Sequence, residues 1–403
     1  MRPNTVVLAV SAEGFLTRLG FGMVGFTLPL YAISLGMAWA EVGALYALST
    51  AMALLIKPAV GWTADRFGAK RTLVASVFLR CLIGLLFVFA TLPWHLYALR
   101  LVRGVVTAAR EPSAASLISD GANRQRMATA FAWYATARDL GRSLGYAAAG
   151  ALLHVTGQHR LVFFIAFLTS CSALVAVIRW VHQPSPGQQT SQLLVKPSGS
   201  SIRALSRRLF PYARFGVTVA AGAEMMRGLF PVIATEYAGL TAAEAGLIAS
   251  VSSIAILLAG PAFAWISDHV SRPAALGARS FANTISSLLY AVFPGFSGFL
   301  AGRVLDDTGK AAFRPTWGAL LAEVSAEDPA RRTRVIAVLD STYDVGEVVA
   351  PVIAGLLIGA FGVPVMLGVR AVLALIAEVQ AIRLVHSDPV RGLRAASPDR
   401  PEV

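Results

Sequence analysis

Charged residues are scarce in this chain. Asp, Glu, Lys and Arg make up 14% of its 403 residues, against about 25% in soluble domains. So few charges could not cover a water-soluble surface, which excludes a secreted domain, a DNA-binding protein and a soluble enzyme. The chain is instead apolar, with 56% hydrophobic residues and a mean hydropathy of +0.64. Because each helix that crosses a bilayer needs about 20 mostly apolar residues, a polytopic membrane protein is predicted.

Cysteine is also rare. The chain has two, Cys81 and Cys171, and both lie inside apolar runs, so neither a disulfide framework nor a metal-binding knuckle is indicated. The six histidines lack metal-ligand spacing, and Ser11 and Ser113 have no nearby base that would activate them. We therefore expect no enzymatic activity, no metal and no cofactor.

Twelve apolar segments, separated by Pro, Gly and clusters of charge, are predicted to cross the membrane as helices. The first continues to Tyr31, too far for a signal peptide, and is interpreted as a retained helix. The seventh is expected near residues 211–235. The segments predict an N-terminal six-helix bundle (1–181), a cytoplasmic linker (182–210), a C-terminal six-helix bundle (211–385) and a cytoplasmic tail (386–403).

Lys and Arg favour one side of the predicted membrane. Eighteen lie near segment ends on one side, whereas only Arg160 lies near them on the other. The positive-inside rule then places both termini and the linker in the cytoplasm. The same bias explains the net charge of +13, so anionic lipid and not nucleic acid is the expected partner of the basic surface. Thirty-one Arg against four Lys, with abundant Ala, suggest a bacterial inner-membrane protein.

The two halves of the chain resemble each other. A shift of 203 residues pairs Arg100 with Arg303 and Pro112 with Pro315, and it pairs several other positions of the same segments. Duplicated membrane halves are a recurring transporter architecture, in which the substrate site lies near the bilayer midplane between the halves.

The loop after the second segment carries a motif. From Gly61 to Arg71 it reads G-W-T-A-D-R-F-G-A-K-R, which resembles the signature G-x-x-x-D-R-x-G-x-[RK]-[RK] of the major facilitator superfamily. Length, segment count, linker and repeat agree with that family. The resemblance covers nearly the whole chain and implies its fold: an all-α integral membrane protein with twelve transmembrane helices in two pseudo-symmetric six-helix bundles.

In that family the Asp of the signature loop holds the neighbouring half near a helix end and helps to stabilise the outward-facing state. The resemblance therefore implies gating roles. For Lys70 and Arg71 the alternative is that they only enforce topology. The second-half copy of the loop is degenerate. The gating residues implied are Gly61, Asp65, Arg66, Gly68, Lys70, Arg71 and, from the second copy, Asp268.

Two further patterns bear on coupling. Arg100-Leu-Val-Arg103-Gly104 is similar to the family's R-x-x-x-G pattern, whose Arg has been linked to proton coupling. The antiporter pattern of the fifth helix is only partly matched, since Tyr146 stands where proline is expected. The resemblance therefore does not decide between import and export.

Ten charged residues lie several positions inside the predicted segments. Facing lipid, they would cost about 30 kcal/mol in total, far above a folding margin of about 5 to 15 kcal/mol. We expect them to face one another or a wet cavity. The predicted substrate-binding residues are Arg18, Arg110, Glu111, Arg138, Arg142, Glu224, Arg227, Asp307, Lys310 and Arg314.

Moving an Arg towards or away from a buried carboxylate can release or load a proton at neutral pH. Asp139, Asp344 and Glu347 are therefore the predicted proton-coupling residues. For neighbouring charges of opposite sign, such as Asp307 and Arg314 or Glu224 and Arg227, the alternative is that they simply neutralise each other between helices.

The sequence thus predicts a secondary active transporter that moves a small polar or charged organic solute by alternating access. Proton coupling is expected, and a facilitated-diffusion uniporter is the alternative. A membrane sensor or partner subunit that keeps the fold without transport is a rival of another class. The expected partners are a small-molecule substrate, protons and the lipid bilayer, and the protein is expected to be a monomer.

Overall fold

The computed structural model describes residues 5–121, 127–181, 202–269, 272–326 and 332–386, and these ranges are helical apart from short connections. Twelve long helices of 21 to 31 residues account for most of them. We label them α1 Thr5–Ser34, α2 Trp39–Phe67, α3 Ala69–Phe89, α4 Pro93–Gly121, α5 Met127–Thr156, α6 His159–Trp180, α7 Ile202–Glu224, α8 Ala242–His269, α9 Arg272–Val292, α10 Phe296–Ala326, α11 Arg332–Phe361 and α12 Val363–His386.

Seven of these helices are long and apolar enough to cross a membrane by length and composition: α1, α2, α3, α6, α8, α11 and α12. The remainder include α4 and α10, the two helices with repeated ionic positions such as Arg100 and Arg303. Their charges lower their hydropathy. Such charges are tolerated in these helices because the charged side chains face the interior of the protein and not lipid. The all-helical membrane fold predicted from the sequence is confirmed.

Each six-helix half has the same packing. In the first half α1 packs on α5 and α6, α3 packs on α4 and α6, and α2 packs on α4. In the second half α7 packs on α11 and α12, α9 packs on α10 and α12, and α8 packs on α10. The halves meet where α2 contacts α11 and where α5 contacts α8. The repeat converts one of these two seams into the other, as expected for parallel repeats about an axis along the membrane normal.

The seams are tightest at one end of the molecule. A Cβ atom on Gly43 of α2 would collide with the backbone carbonyl of Pro351 in α11, and the Cα atoms of Gly150 and Gly246 face each other across α5 and α8. These positions lie near the connections at residues 35–38, 157–158, 238–241 and 362. Small residues let the backbones approach there and close that end.

The helical segment that begins with α7 is interrupted directly after α7 ends. The helix begins at Ile202, so residues 202–210 of the predicted linker are helical, and it ends at Glu224. After a turn, a short helix Phe230–Val232 leads into the π-helix Ile233–Tyr237. Gly228 in the turn has a φ of 72°, and Pro231 suits the start of a new helix better than the interior of a long one. The single seventh span predicted near 211–235 is therefore two pieces.

Candidate functional site

A cavity of about 420 Å³ lies between the two halves. In the first half it is lined by residues of α1 to α5, and in the second half by residues of α7 and its break, α8, α10 and α11. Its volume is in the usual range for small-molecule sites, about 300 to 1,000 Å³. Nine of the predicted site residues line it: Arg18, Glu111, Arg142, Glu224, Arg227, Asp307, Lys310, Asp344 and Glu347.

The two walls differ in charge. The first-half wall has six cationic residues and one acidic residue: Arg18, Lys57, Arg80, Arg100, Arg103 and Arg142 against Glu111. The second-half wall has three cationic and four acidic residues: Arg227, Arg303 and Lys310 against Glu224, Asp307, Asp344 and Glu347. The cavity therefore has a cationic side and a nearly balanced side.

Glu111 of α4 is surrounded by guanidinium groups. Its Oε1 lies 2.8 Å from Nη2 of Arg18 and 3.2 Å from Nη1 of Arg110, and its Oε2 lies 2.9 Å from Nη1 of Arg138. Arg138 itself does not line the cavity. It therefore contacts the cavity lining through Glu111.

Arg110 lies behind the cavity wall. It donates two hydrogen bonds to Glu13 of α1, with Nη2 2.7 Å from Oε2 and Nε 2.9 Å from Oε1. Thr17 donates a third to the same carboxylate. Both charged side chains are 1% exposed or less. Arg110 was predicted to contact substrate, but in the structure it ties α1 to α4, because its partner Glu13 lies on the neighbouring helix.

Asp139 and Arg142 form a pair within α5, with Oδ1 and Nη2 3.0 Å apart. Arg142 lines the cavity and Asp139 does not. Of the predicted proton-coupling residues, Asp344 and Glu347 therefore face the cavity, whereas Asp139 contacts it only through Arg142.

Two carboxylates share one guanidinium at the break in α7. Nη1 of Arg227 lies 2.6 Å from Oε2 of Glu347 on α11 and 3.3 Å from Oε2 of Glu224. The hydroxyl of Tyr343 donates to Glu224 over 3.4 Å. The turn that ends α7 places Arg227 in the cavity, which is where broken helices of transporters commonly bind solutes or ions.

Several charges of α10 form ion pairs within the helix. Nζ of Lys310 lies 2.8 Å from Oδ1 of Asp307 and 3.2 Å from Oδ2 of Asp306, and Nε of Arg303 lies 3.3 Å from Oδ2 of Asp307. The predicted residue Arg314 is on the same helix, but its side chain lies outside the part that the structure describes.

Behind this wall is a fully buried cluster. Oδ1 of Asp306 accepts from Arg370 of α12 at 2.7 Å and from Arg279 of α9 at 2.9 Å. Arg370 also donates to Ser286 and Ser287 of α9. The three charged side chains are 2% exposed or less. They join α9, α10 and α12 and do not line the cavity.

Polar contacts cross between the halves. Nζ of Lys57 on α2 lies 3.0 Å from Oδ2 of Asp344 on α11. Ser143 of α5 donates to the backbone carbonyl of Ser250 on α8 at 2.9 Å. The ion pair is at the cavity, so opening the α2 and α11 seam there requires breaking it.

Three arginines of the cationic wall were not among the predicted substrate-binding residues: Arg80, Arg100 and Arg103. The guanidinium carbon of Arg103 lies 3.9 Å from the ring centroid of Phe21 and that of Arg80 lies 5.8 Å from it. Arg100 covers the Tyr46 ring at 4.0 Å and donates to the carbonyl of Leu45. Arg80 is the one charged residue of the apolar stretch 72–89 in α3, and an isolated charge at that depth indicates a functional position.

The signature loop joins α2 to α3. Gly68 has a φ of 88°, a conformation that favours glycine. Arg66 is exposed in the last turn of α2, and Lys70 and Arg71 lie in the first turn of α3. Gly61, Asp65 and Asp268 lie on described helices, but their side-chain environments are outside what the structure describes.

The chain resembles two bacterial resistance proteins in sequence. It is 26% identical over 385 residues to the multidrug resistance protein MdtG of Proteus mirabilis, covering 93% of this chain and 92% of that protein. It is 26% identical over 181 residues to the quinolone resistance protein NorA of Staphylococcus aureus, covering 45% of this chain and 46% of that one.

Solved structures share the fold. The nucleoside transporter NupG matches with a TM-score of 0.73 at 17% identity, covering 94% of this chain and 98% of its own. A bacterial homologue of the human lysosomal transporter Spinster, in an inward-facing and occupied conformation, matches with a TM-score of 0.76 at 15% identity, covering 99% and 100%. The family model of the Major Facilitator Superfamily matches residues 13–220 and 213–401. The chain is therefore a membrane transporter that belongs to the Major Facilitator Superfamily.

Proposed function

We propose that this protein moves a small polar or charged organic solute across the bacterial inner membrane by proton-coupled alternating access, as a monomer with both termini in the cytoplasm. One observation carries the proposal: a charged cavity lies between two similarly packed bundles, and an ion pair crosses from one bundle to the other at that cavity. The names of the relatives MdtG and NorA, which refer to drug and quinolone resistance, support an organic solute.

Alternating access requires contacts at both ends of the cavity that open in turn and never both at once. The glycine contacts of Gly43 and Gly150 close one end of the seams. Lys57 and Asp344 pair further along α2 and α11, on the side of the cavity away from those glycines. Rocking of the bundles about the cavity would separate one set while the other tightens. The bias of Lys and Arg supports an outside position for the glycine end.

Proton coupling is supported by the charges around Arg227. Glu224 and Glu347 bring two negative charges to one guanidinium. A proton bound by either carboxylate removes the excess negative charge, and movement of Arg227 changes which carboxylate it neutralises. Asp344 behaves similarly, because opening its seam would withdraw Lys57. Glu347 and Asp344 are therefore the first coupling candidates, and Asp139, outside the cavity lining, is the third.

The test is flux in vesicles that contain the purified protein. A panel of organic solutes is screened for uptake with and without an imposed pH gradient, and then for counterflow without a gradient. We expect gradient-driven accumulation in the parent protein. Glu347→Gln or Asp344→Asn should abolish accumulation and keep counterflow. Glu378→Gln is the matched control, since Glu378 lies on α12 and does not line the cavity.

Saturable flux that does not depend on the pH gradient would overturn proton coupling and favour the facilitated-diffusion uniporter. Ligand binding without flux of any solute in the panel would overturn transport and favour a sensor.

A further inference from the structure

The geometry points to an organic anion as the solute, bound by Arg80, Arg100 and Arg103 on the cationic wall of the cavity. The inference rests on the proposed transport function and specifies its substrate class: a small molecule with a carboxylate, phosphate or sulfonate group and an apolar body.

The first step is the charge of the lining. Nine cationic and five acidic side chains face the cavity, an excess of four positive charges. Like charges facing a shared low-dielectric space raise the energy of the empty cavity, and an anion lowers it. A cationic solute would add to the excess.

The second step is which charges are already paired. Every carboxylate of the lining lies within 3.3 Å of a cationic nitrogen: Glu111 at Arg18, Asp307 at Lys310, Asp344 at Lys57, and Glu224 and Glu347 at Arg227. No acidic group is therefore free to receive a cationic solute without first losing its own partner.

The third step concerns the arginines that remain. Within the described ranges, Arg80, Arg100 and Arg103 have no carboxylate partner, and Nε of Arg80 is buried without any hydrogen bond. Arg100 and Arg103 are 3% and 7% exposed. Guanidinium groups keep their charge in proteins, and the Phe21 and Tyr46 rings stabilise them only partly. Their remaining N–H groups suit the oxygens of a carboxylate, phosphate or sulfonate.

The fourth step is the apolar part of the lining. Phe26, Leu54, Met226, Phe230 and Ile256 share the cavity with the arginines. An inorganic anion would leave this surface wet, whereas an organic anion would cover it. The volume of about 420 Å³ also exceeds what a small inorganic ion fills.

The experiment compares probes of equal size and different charge. Benzoate, benzamide and benzamidine carry charges of −1, 0 and +1 on one ring, naphthoate extends the anionic set, and inorganic phosphate is the non-organic anion. Thermal unfolding of the purified protein in detergent is followed as each probe is titrated. We expect stabilisation by the organic anions and none by benzamidine. Stabilisation by benzamidine, equal effects of benzoate, benzamide and benzamidine, an effect of phosphate alone, or no effect would overturn the inference.

Variants locate the binding. Arg103→Gln should weaken benzoate or naphthoate binding more than about tenfold, and Arg103→Lys should recover part of it because the charge returns without the paired N–H groups. Without ligand, Arg103→Gln should unfold at the same or a higher temperature than the parent. Arg160→Gln, at an exposed position outside the lining, should bind as the parent does. Unchanged anion binding in Arg103→Gln would overturn the assignment.

Vesicle flux with the same probes separates this inference from the proposed function. Transport of benzamide or benzamidine but not of the anions would overturn the anion inference and leave transport standing. Anion binding that depends on Arg103, without flux of any probe, would overturn transport and leave the anion site standing.

Discussion

Lys57 of the first bundle lies 3.0 Å from Asp344 of the second, and the lysine side chain is 52% exposed. An ion pair this open to water contributes at most about 1 kcal/mol to folding. Its effect is expected on the balance between two conformations, since it exists only while the bundles are close at that point.

The first prediction exchanges the two charges. Lys57→Asp should repel Asp344, open the α2 and α11 seam at the cavity and slow transport, and the double variant Lys57→Asp with Asp344→Lys should restore the seam. The measurement is a distance between spin labels on α2 and α11 by pulsed electron resonance. A double variant as open as the single one would contradict the pair's role.

The second prediction concerns the tight end of the same seam. A Cβ on Gly355 would collide with the carbonyl of Trp39 and lie 2.7 Å from the Cα of Ala40. Gly355→Ala should therefore push α2 and α11 apart there and reduce the closed population. Alkylation of a cysteine placed at Ser253 in the cavity reports access from that side.

Gly359 is the matched control on α11. It lies one turn further on, and a Cβ there meets nothing within 4 Å. In the Gly359→Ala variant, the cysteine placed at Ser253 should be alkylated at the parent rate. Equal rates in the parent, Gly355→Ala and Gly359→Ala would show that the glycine contact does not limit opening.

The third prediction tests the buried pair of α1 and α4. Glu13→Gln leaves the charge of Arg110 without its bidentate partner, which for buried pairs costs about 3 to 5 kcal/mol. Arg110→Met with Glu13→Met removes both charges and should recover much of the loss. Asp139→Asn is the comparison, since its pair with Arg142 is 20 to 28% exposed and should cost less than about 1 kcal/mol. Thermal unfolding in detergent ranks the variants, and equal loss in Glu13→Gln and Asp139→Asn would contradict the argument.

The fourth prediction concerns the glycine of the signature loop. Gly68 has φ 88° and ψ 146°, a region that residues with a Cβ avoid, at a cost of about 1 to 3 kcal/mol. Gly68→Ala should lower the unfolding temperature. Gly318→Ala, inside α10 with open space around it, should not lower it, because helical alanine is favoured over glycine. Similar values for both variants would remove the conformational role of Gly68.

Hydropathy and the internal repeat were enough to predict the helical membrane fold, because the cost of exposing charge and backbone polar groups to lipid leaves few alternatives. The same cost predicted that the intramembrane charges meet one another. The sequence could not distinguish charged residues that line the cavity from those buried between helices. Arg103 and Arg110 are seven residues apart and share one face of α4. Arg103 nevertheless lines the cavity, whereas Arg110 is buried in an ion pair with Glu13.

That difference depends on a partner on another helix, which helical phase does not reveal. The break in α7 is a different case. Gly228 and Pro231 are both visible in the sequence, and together they are typical of a helix that stops and restarts. The charge of Arg227 at that break was identified, whereas the discontinuity that positions it was not.

The buried carboxylate of Asp306 has a mechanical consequence. It accepts from Arg370 and Arg279 and lies 3.2 Å from Lys310, so a single side chain fastens α9, α10 and α12 to one another. Separating any of these helices would strand a charge in a dry interior, which is far costlier than parting the half-exposed pair of Lys57 and Asp344. During a transport cycle these three helices should therefore move as a rigid body, and bending should be confined to the helices and connections around them.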